Sequence, residues 1–149
     1  MDIYRVSFIG HRQVSSVAFV EDQVERIAVD LMRQKNFVEF YLGRNGEFDI
    51  AAASGIKRAQ DRVGHEKSAL ILVLPYKMKD LPYYQAFYDE VMLPVDPSVH
   101  FKAAITKRNE WMIENTDLLI SYITKSEGGA YTTYRYAQTK GLQICNLAE

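Results

Sequence analysis

Cysteine is almost missing from this chain: Cys145 is the single thiol in 149 residues. One cysteine excludes an internal disulfide, and with it the stapled scaffold of small secreted proteins, so the expected compartment is the cytoplasm. Histidine is nearly as scarce. His11, His65 and His100 have no metal-ligand spacing and no pair of cysteines beside them, so no zinc centre is expected. No apolar run approaches the roughly 18 residues of a membrane span. The chain enters a strand-like run directly after Asp2, which is not the pattern of a signal peptide, and no membrane partner is expected. An excess of either charge is lacking too, with 18 Lys and Arg against 19 Asp and Glu and a net charge of −1. That balance predicts no extended nucleic-acid surface, though it leaves room for a local basic pocket.

What is present reads as one α/β domain over residues 1–149. The composition is 48% hydrophobic and 25% charged, ordinary for a globular chain long enough to build one substantial core. Ten Tyr and seven Phe are many for this length; such aromatics fill cores and subunit contacts more often than they stack on bases.

Apolar periodicity alternates along the chain. Tyr4 to Ile9 reads as a strand ending in the turn Gly10-His11-Arg12. Ser15 or Ser16 can cap a helix striped by Val17, Val20, Val24, Ile27, Ala28 and Leu31. Val38 to Leu42 is a second strand, closed by Gly43 and the turn signal Asn45-Gly46. Phe48, Ala52, Ile56, Ala59 and Val63 form the next helical stripe, and the small residues Ala51, Ala52, Ala53 and Gly55 predict a close approach of that helix to the sheet. Ser68 to Leu74, ended by Pro75, is apolar throughout and reads as a central parallel strand. Between Tyr76 and Pro97, three prolines and many aromatics predict a short helix near Tyr83 to Tyr88 in irregular chain. A helix over Lys102 to Asn115 follows, then a buried strand Leu118 to Tyr122, a helix carrying Ala130, Tyr134 and Ala137 on one face, and a last strand Leu142 to Leu147 in which Cys145 is expected in the core. Strands and helices in strict alternation predict a Rossmann-like three-layer sandwich with a mostly parallel central sheet.

Right-handed crossovers place all strand C-termini of such a sheet on one edge, and ligands bind there. Four loops are therefore expected to converge: Gly10-His11-Arg12, Gly43 to Asp49, Pro75-Tyr76, and Lys125 to Thr133. The last, KSEGGAYTT, joins a buried strand to a helix, so unpaired N–H groups and a positive dipole end point at whatever sits above the strand. Phosphate suits that place. No loop is a GxGxxG or P-loop motif, and plain turns are the alternative reading of each glycine. Arg12 offers a guanidinium for phosphate or carboxylate. Asp49 opens a helix, where it serves the dipole or a ribose hydroxyl. Tyr76 can stack on a base. His11 titrates near neutrality but has no nucleophile beside it. Arg108 is expected to pair with a carboxylate such as Glu127 rather than to reach a ligand.

The FIGHR turn, the segment LGRNGEFDIAAA, the strand ending LVLPY and the block RNEWMIENTDLLISYITKSEGGAYTTYRYA follow one another in the order found in YpsA-like proteins, and nearly the whole chain resembles that branch of the SLOG superfamily. The resemblance implies a Rossmann-like fold. It places the chain distantly beside the Lonely Guy phosphoribohydrolases and the DNA-processing protein DprA, among members that bind or sense nucleotides and their derivatives. Against the Lonely Guy motif PGGxGTxxE, the segment here runs Glu127 to Arg135. Gly128, Gly129 and Thr132 match. Glu127 replaces the proline, Tyr131 the third glycine, and Arg135 the catalytic glutamate. A guanidinium neither carries negative charge nor accepts a proton, so that hydrolase chemistry is not expected unless Glu127 substitutes.

The resulting expectation is a nucleotide-binding protein of sensor type. Gly128, Gly129, Tyr131, Thr132 and Thr133 would hold phosphate, Gly10, His11 and Arg12 would close the other side, and Gly43, Asp49 and Tyr76 would border the sugar and base. A bound nucleotide is the one cofactor-like group this implies. Two alternatives stand beside it. One is a hydrolase or transferase acting on a nucleotide N-glycosidic bond, with Glu127, Asp49 or His11 as catalytic groups. The other is a homo-oligomeric interaction module with a vestigial pocket and an interface at Tyr83 to Tyr88.

Overall fold

The structure, a computed structural model, describes every residue except Met1 and Asn45; the Asn45 half of the expected Asn-Gly turn lies outside the described residues. Eleven elements alternate along the chain: β1 (Ile3–Gly10), α1 (Val17–Gln34), β2 (Phe37–Leu42), α2 (Glu47–Val63), β3 (Ser68–Val73), α3 (Leu81–Phe87), β4 (Glu90–Met92), α4 (Phe101–Glu114), β5 (Leu118–Tyr122), α5 (Gly129–Thr139) and β6 (Gln143–Asn146). The six strands form one parallel sheet in the order β4-β3-β2-β1-β5-β6. The chain walks outward from β1 to β4, then crosses back to lay β5 on the free side of β1. The strand order reverses between β1 and β5, which makes that pair the topological switch point.

Strand alternation sorts the core into two halves. Val6 and Phe8 of β1, Phe40 and Leu42 of β2, and Leu118 and Ile120 of β5 face α1 and α2. Ile9, Tyr41, Ile71, Val73 and Leu119 face the other way, against Met112 and Ile113 of α4 and Ala137 of α5. The result is the three-layer α/β sandwich that the alternation predicted. Local signals place the helices. Ser16 caps α1 by accepting a hydrogen bond from the Phe19 N–H at 3.1 Å, a contact worth about 1 kcal/mol. Gly141, at φ +70, ends α5 in the left-handed region.

Several expectations need correction. The apolar strand β3 is interior but not central; β2 and β1 hold the centre. It reads as central because β4, only three residues long, covers its other edge. The close approach at Gly55 is to α1 rather than to the sheet: a Cβ there would stand 2.7 Å from the Glu21 carbonyl oxygen. Val17 begins the α1 stripe but is exposed, and burial on that face starts at Val20. Cys145 is exposed. It lies on the edge strand β6, where Gln143 and Cys145 alternate outward.

Candidate functional site

At the C-terminal end of β1 the chain turns sharply, and the turn is fixed by its neighbours. A Cβ on Gly10 would lie 2.4 Å from the Phe48 ring, so only glycine admits the start of α2 beneath it. The Glu47 N–H donates to the Arg12 carbonyl at 2.8 Å, and the Val14 N–H donates to the Glu47 carboxylate at 3.0 Å. The β1–α1 and β2–α2 loops are thereby tied together. On the other side of the switch point, the His11 N–H donates to the Tyr122 carbonyl at the end of β5. The His11 Nε2 accepts the Lys125 N–H at 3.2 Å, which fixes the proton of the neutral ring on Nδ1. Burial, then the Lys125 charge, lower the His11 pKa below its ordinary value.

These loops enclose a cavity of about 300 Å³. Gly10, His11 and Arg12 line one side, Gly43 and Asp49 a second, and Gly128 and Gly129 a third. The structure thus brings together seven of the residues expected at a ligand. It does not bring the others. Thr132 and Thr133 donate their hydroxyls back to the carbonyls of Gly128 and Gly129, at 3.1 and 3.0 Å, and Tyr131 stacks on Tyr134. Tyr76 is exposed beyond the cavity wall. Glu127 is exposed on an adjoining cavity of about 590 Å³, lined by His11, Arg12, Gln13, Lys125, Glu127 and Gly128. Arg135 bonds to Gln138 on the exposed face of α5, away from both cavities.

The residue underrated in the sequence is Arg108. It is 1% exposed, and it lines the cavity from α4 together with Asn109 and Met112. It does not pair with Glu127. Its Nη1 donates to the Val73 carbonyl at 2.9 Å and its Nε to the Asn109 Oδ1 at 2.8 Å, while its buried Nη2 has no partner among the described residues. Burial lowers its pKa, and attraction to Asp49 and Tyr76 opposes that shift; a guanidinium stays charged at neutral pH regardless. Gly43 makes the room it needs, since a Cβ there would lie 3.0 Å from Nη1 and 3.4 Å from an Asp49 carboxylate oxygen. The sequence signal was available: Arg108 shares an α4 face with Ala104 and Met112, both buried, and a cation on a core-facing stripe is a candidate for function because it is costly there.

Opposite Arg108 stands the first turn of α5. Its first N–H groups have no acceptor within the helix, and its cap residue Gly128, at φ +93, supplies no side chain. A Cβ on either Gly128 or Gly129 would meet nothing within 4 Å; the space in front of this helix end is open. A buried cation and a positive helix end therefore face one small cavity, an arrangement that favours an anion.

No protein-family model and no curated protein matches the sequence. Solved structures do match in shape. Over 95% of its length the chain superposes on DNA processing protein A (DprA) from Streptococcus pneumoniae with a TM-score of 0.68 at 20% identity. It superposes on DprA from Helicobacter pylori with a TM-score of 0.66 at 16% identity, and on the structural-genomics target TM1055 with 0.59 at 15%. It spans 49%, 63% and 72% of those three chains, about half the length of the first. The Helicobacter protein is described by its single-stranded DNA binding mode, and this overturns the expectation of no extended nucleic-acid surface. The groove beside the cavity carries Arg12 and Lys125 together with Glu127. Among the described residues no helix is long and apolar enough to cross a membrane. What the chain shares with these proteins is the fold.

Proposed function

We propose that this chain binds a nucleotide or nucleotide derivative, phosphate first, in the crevice above β1 and β5, and that it does so as a sensor rather than as a hydrolase. The observation that carries the reading is Arg108: a buried guanidinium whose Nη2 has no partner among the described residues, on the wall of the same cavity as the start of α5, which has no side-chain cap. Burying a cation without a full set of partners is costly, and a ligand phosphate would supply the missing acceptor through a charge-assisted bond. Asp49 is 6% exposed and lines the cavity near Arg108, where it suits a sugar hydroxyl. Within the SLOG superfamily the sequence blocks favour the YpsA-like branch, and the cytoplasm is where such ligands abound.

A second reading has its own observation. The adjoining groove carries Arg12 and Lys125 and continues from the cavity through His11, Arg12 and Gly128. A phosphate bound at α5 could thus belong to a single strand whose next phosphates follow that groove, in keeping with what the Helicobacter neighbour binds. No comparable observation favours N-glycosidic cleavage.

The test is a thermal-shift and calorimetric screen of mononucleotides, dinucleotides, cyclic nucleotides and short single-stranded oligonucleotides, on the wild type and on Arg108→Met. A ligand selective for the folded state raises the melting temperature. The reading expects at least one stabilising nucleotide whose affinity falls roughly 30-fold or more in the variant, as truncation of one partner in a buried charge pair does. Stabilisation that Arg108→Met leaves intact would move the ligand elsewhere.

A further inference from the structure

Helix α4 carries a stripe that runs beyond Arg108. Phe101, Ile105, Arg108 and Met112 are spaced four, three and four apart, which puts them on one helical face. The lower three of these line the cavity. Met112 is fully buried and Arg108 is 1% exposed, but Ile105 is 38% and Phe101 55% exposed. Because α4 precedes the parallel strand β5, it runs antiparallel to the sheet, and its first turn rises above the edge where the cavity opens. Phe101 stands about 10 Å along the helix axis from Arg108. Its ring stacks on His100 at 4.6 Å between centroids, so a flat aromatic pair tops the stripe.

We propose that Ile105 and Phe101 form an apolar ledge on which the base of the bound nucleotide lies, its phosphate being held at Arg108 and α5. The inference rests on the anion-site reading above and goes beyond it by naming what selects the uncharged end of the ligand. Two observations carry it. The cavity, at about 300 Å³, sits at the lower bound of small-ligand sites, so the phosphate and sugar fill it and the base emerges at its mouth. The mouth has two exits of opposite character. One is the groove of Arg12, Gln13, Lys125 and Glu127, whose charged and amide groups suit phosphate or water. The other is the side of Ile105, which lines the cavity, with Phe101 four residues before it on the same helical face, and an aromatic face there suits a base of any identity.

The experiment is calorimetric titration of 5′-AMP, 5′-UMP and ribose 5-phosphate into the wild type and the variant Phe101→Ala, which leaves the cavity lining intact. The Phe101 side chain is exposed, so the variant should keep its fold; circular dichroism and the urea midpoint verify that. The wild type is expected to bind both nucleotides roughly tenfold or more tighter than ribose 5-phosphate, a stacking-sized gain. The variant is expected to bind ribose 5-phosphate as the wild type does and to lose the preference. A preference that survives in the folded variant overturns the ledge, as does an equal loss for all three ligands. Ribose 5-phosphate binding the wild type as tightly as the nucleotides also overturns the ledge while leaving the anion site standing. Failure of all three to bind overturns both. Sedimentation of the two proteins closes the remaining route: a dimer that dissociates in the variant would make the ledge a subunit contact and overturn the proposal.

Discussion

Arg108 holds a buried charge that attraction to Asp49 offsets only in part. Two of its nitrogens are satisfied by Val73 and Asn109, and the third has no partner among the described residues. Methionine has a similar length and no charge. Arg108→Met would relieve a desolvated cation but leave the Val73 carbonyl without its donor, and these terms oppose each other at about 1–3 kcal/mol each. The expected result is a urea midpoint that moves little while nucleotide affinity is lost, read by unfolding and calorimetry on the same preparation; a variant that fails to fold would make Arg108 a structural residue. His11 makes a different prediction. Its folded pKa lies below its unfolded value, so the fold favours the neutral ring. That contribution is present above the unfolded pKa, near 6.5, and is lost as the pH falls through the lower folded one. Protonation also turns Nε2 from acceptor to donor and breaks the bond to the Lys125 N–H. Between neutrality and about pH 5 the wild type should therefore lose more stability than His11→Asn, which has no titrating ring; parallel pH profiles would contradict this. At this scale turn chemistry made the loop positions of His11, Arg12 and the glycines legible, because it is local. Arg108 was half legible: the α4 stripe it shares with Ala104 and Met112 puts it on the buried face, but the groups it meets there come from elements remote in sequence.

Glycines at two element boundaries look alike in sequence and differ in structure. Gly10 ends β1 beneath the Phe48 ring, and Gly129 begins α5 facing open space. Gly10→Ala forces a methyl into packed carbon and should destabilise by about 1–3 kcal/mol. Gly129→Val should change stability by under about 1 kcal/mol, since valine is no poorer a helix former than glycine and a Cβ there meets nothing within 4 Å, yet it fills the space in front of the first N–H groups. Urea unfolding of both variants, with calorimetry of the best ligand on Gly129→Val, should show the first losing stability and the second losing affinity. The reverse order would make the α5 glycines a backbone requirement and nothing more. Longer elements were legible because apolar periodicity persists through them: α1, α2, β5 and α5 fall where their stripes put them. The three-residue β4 was missed because Glu90–Met92 is too short to show a period. Its place is set by pairing with β3 and by the Leu74 N–H donating to the Met92 carbonyl at 2.9 Å. Cys145 was misplaced for a related reason: an apolar-looking strand at a sheet edge exposes half its side chains.

For the whole molecule, alternation of strands and helices was enough to predict the layers, and parallel pairing was enough to predict which edge gathers the loops around the cavity. The strand order, and hence the switch point between β1 and β5, was not readable, since nothing in a strand's composition says which neighbour it takes. The central claim is that an anion sits between the Arg108 guanidinium and the first turn of α5. Tungstate mimics phosphate and scatters anomalously, so a crystal soaked in it reports the anion's position without a choice of base. The account predicts one strong peak within hydrogen-bond distance of the Arg108 Nη2 and the Gly129 and Ala130 N–H groups, absent from crystals of Arg108→Met. A strong peak elsewhere with none in this cavity, or a peak here that persists in the variant, would contradict it.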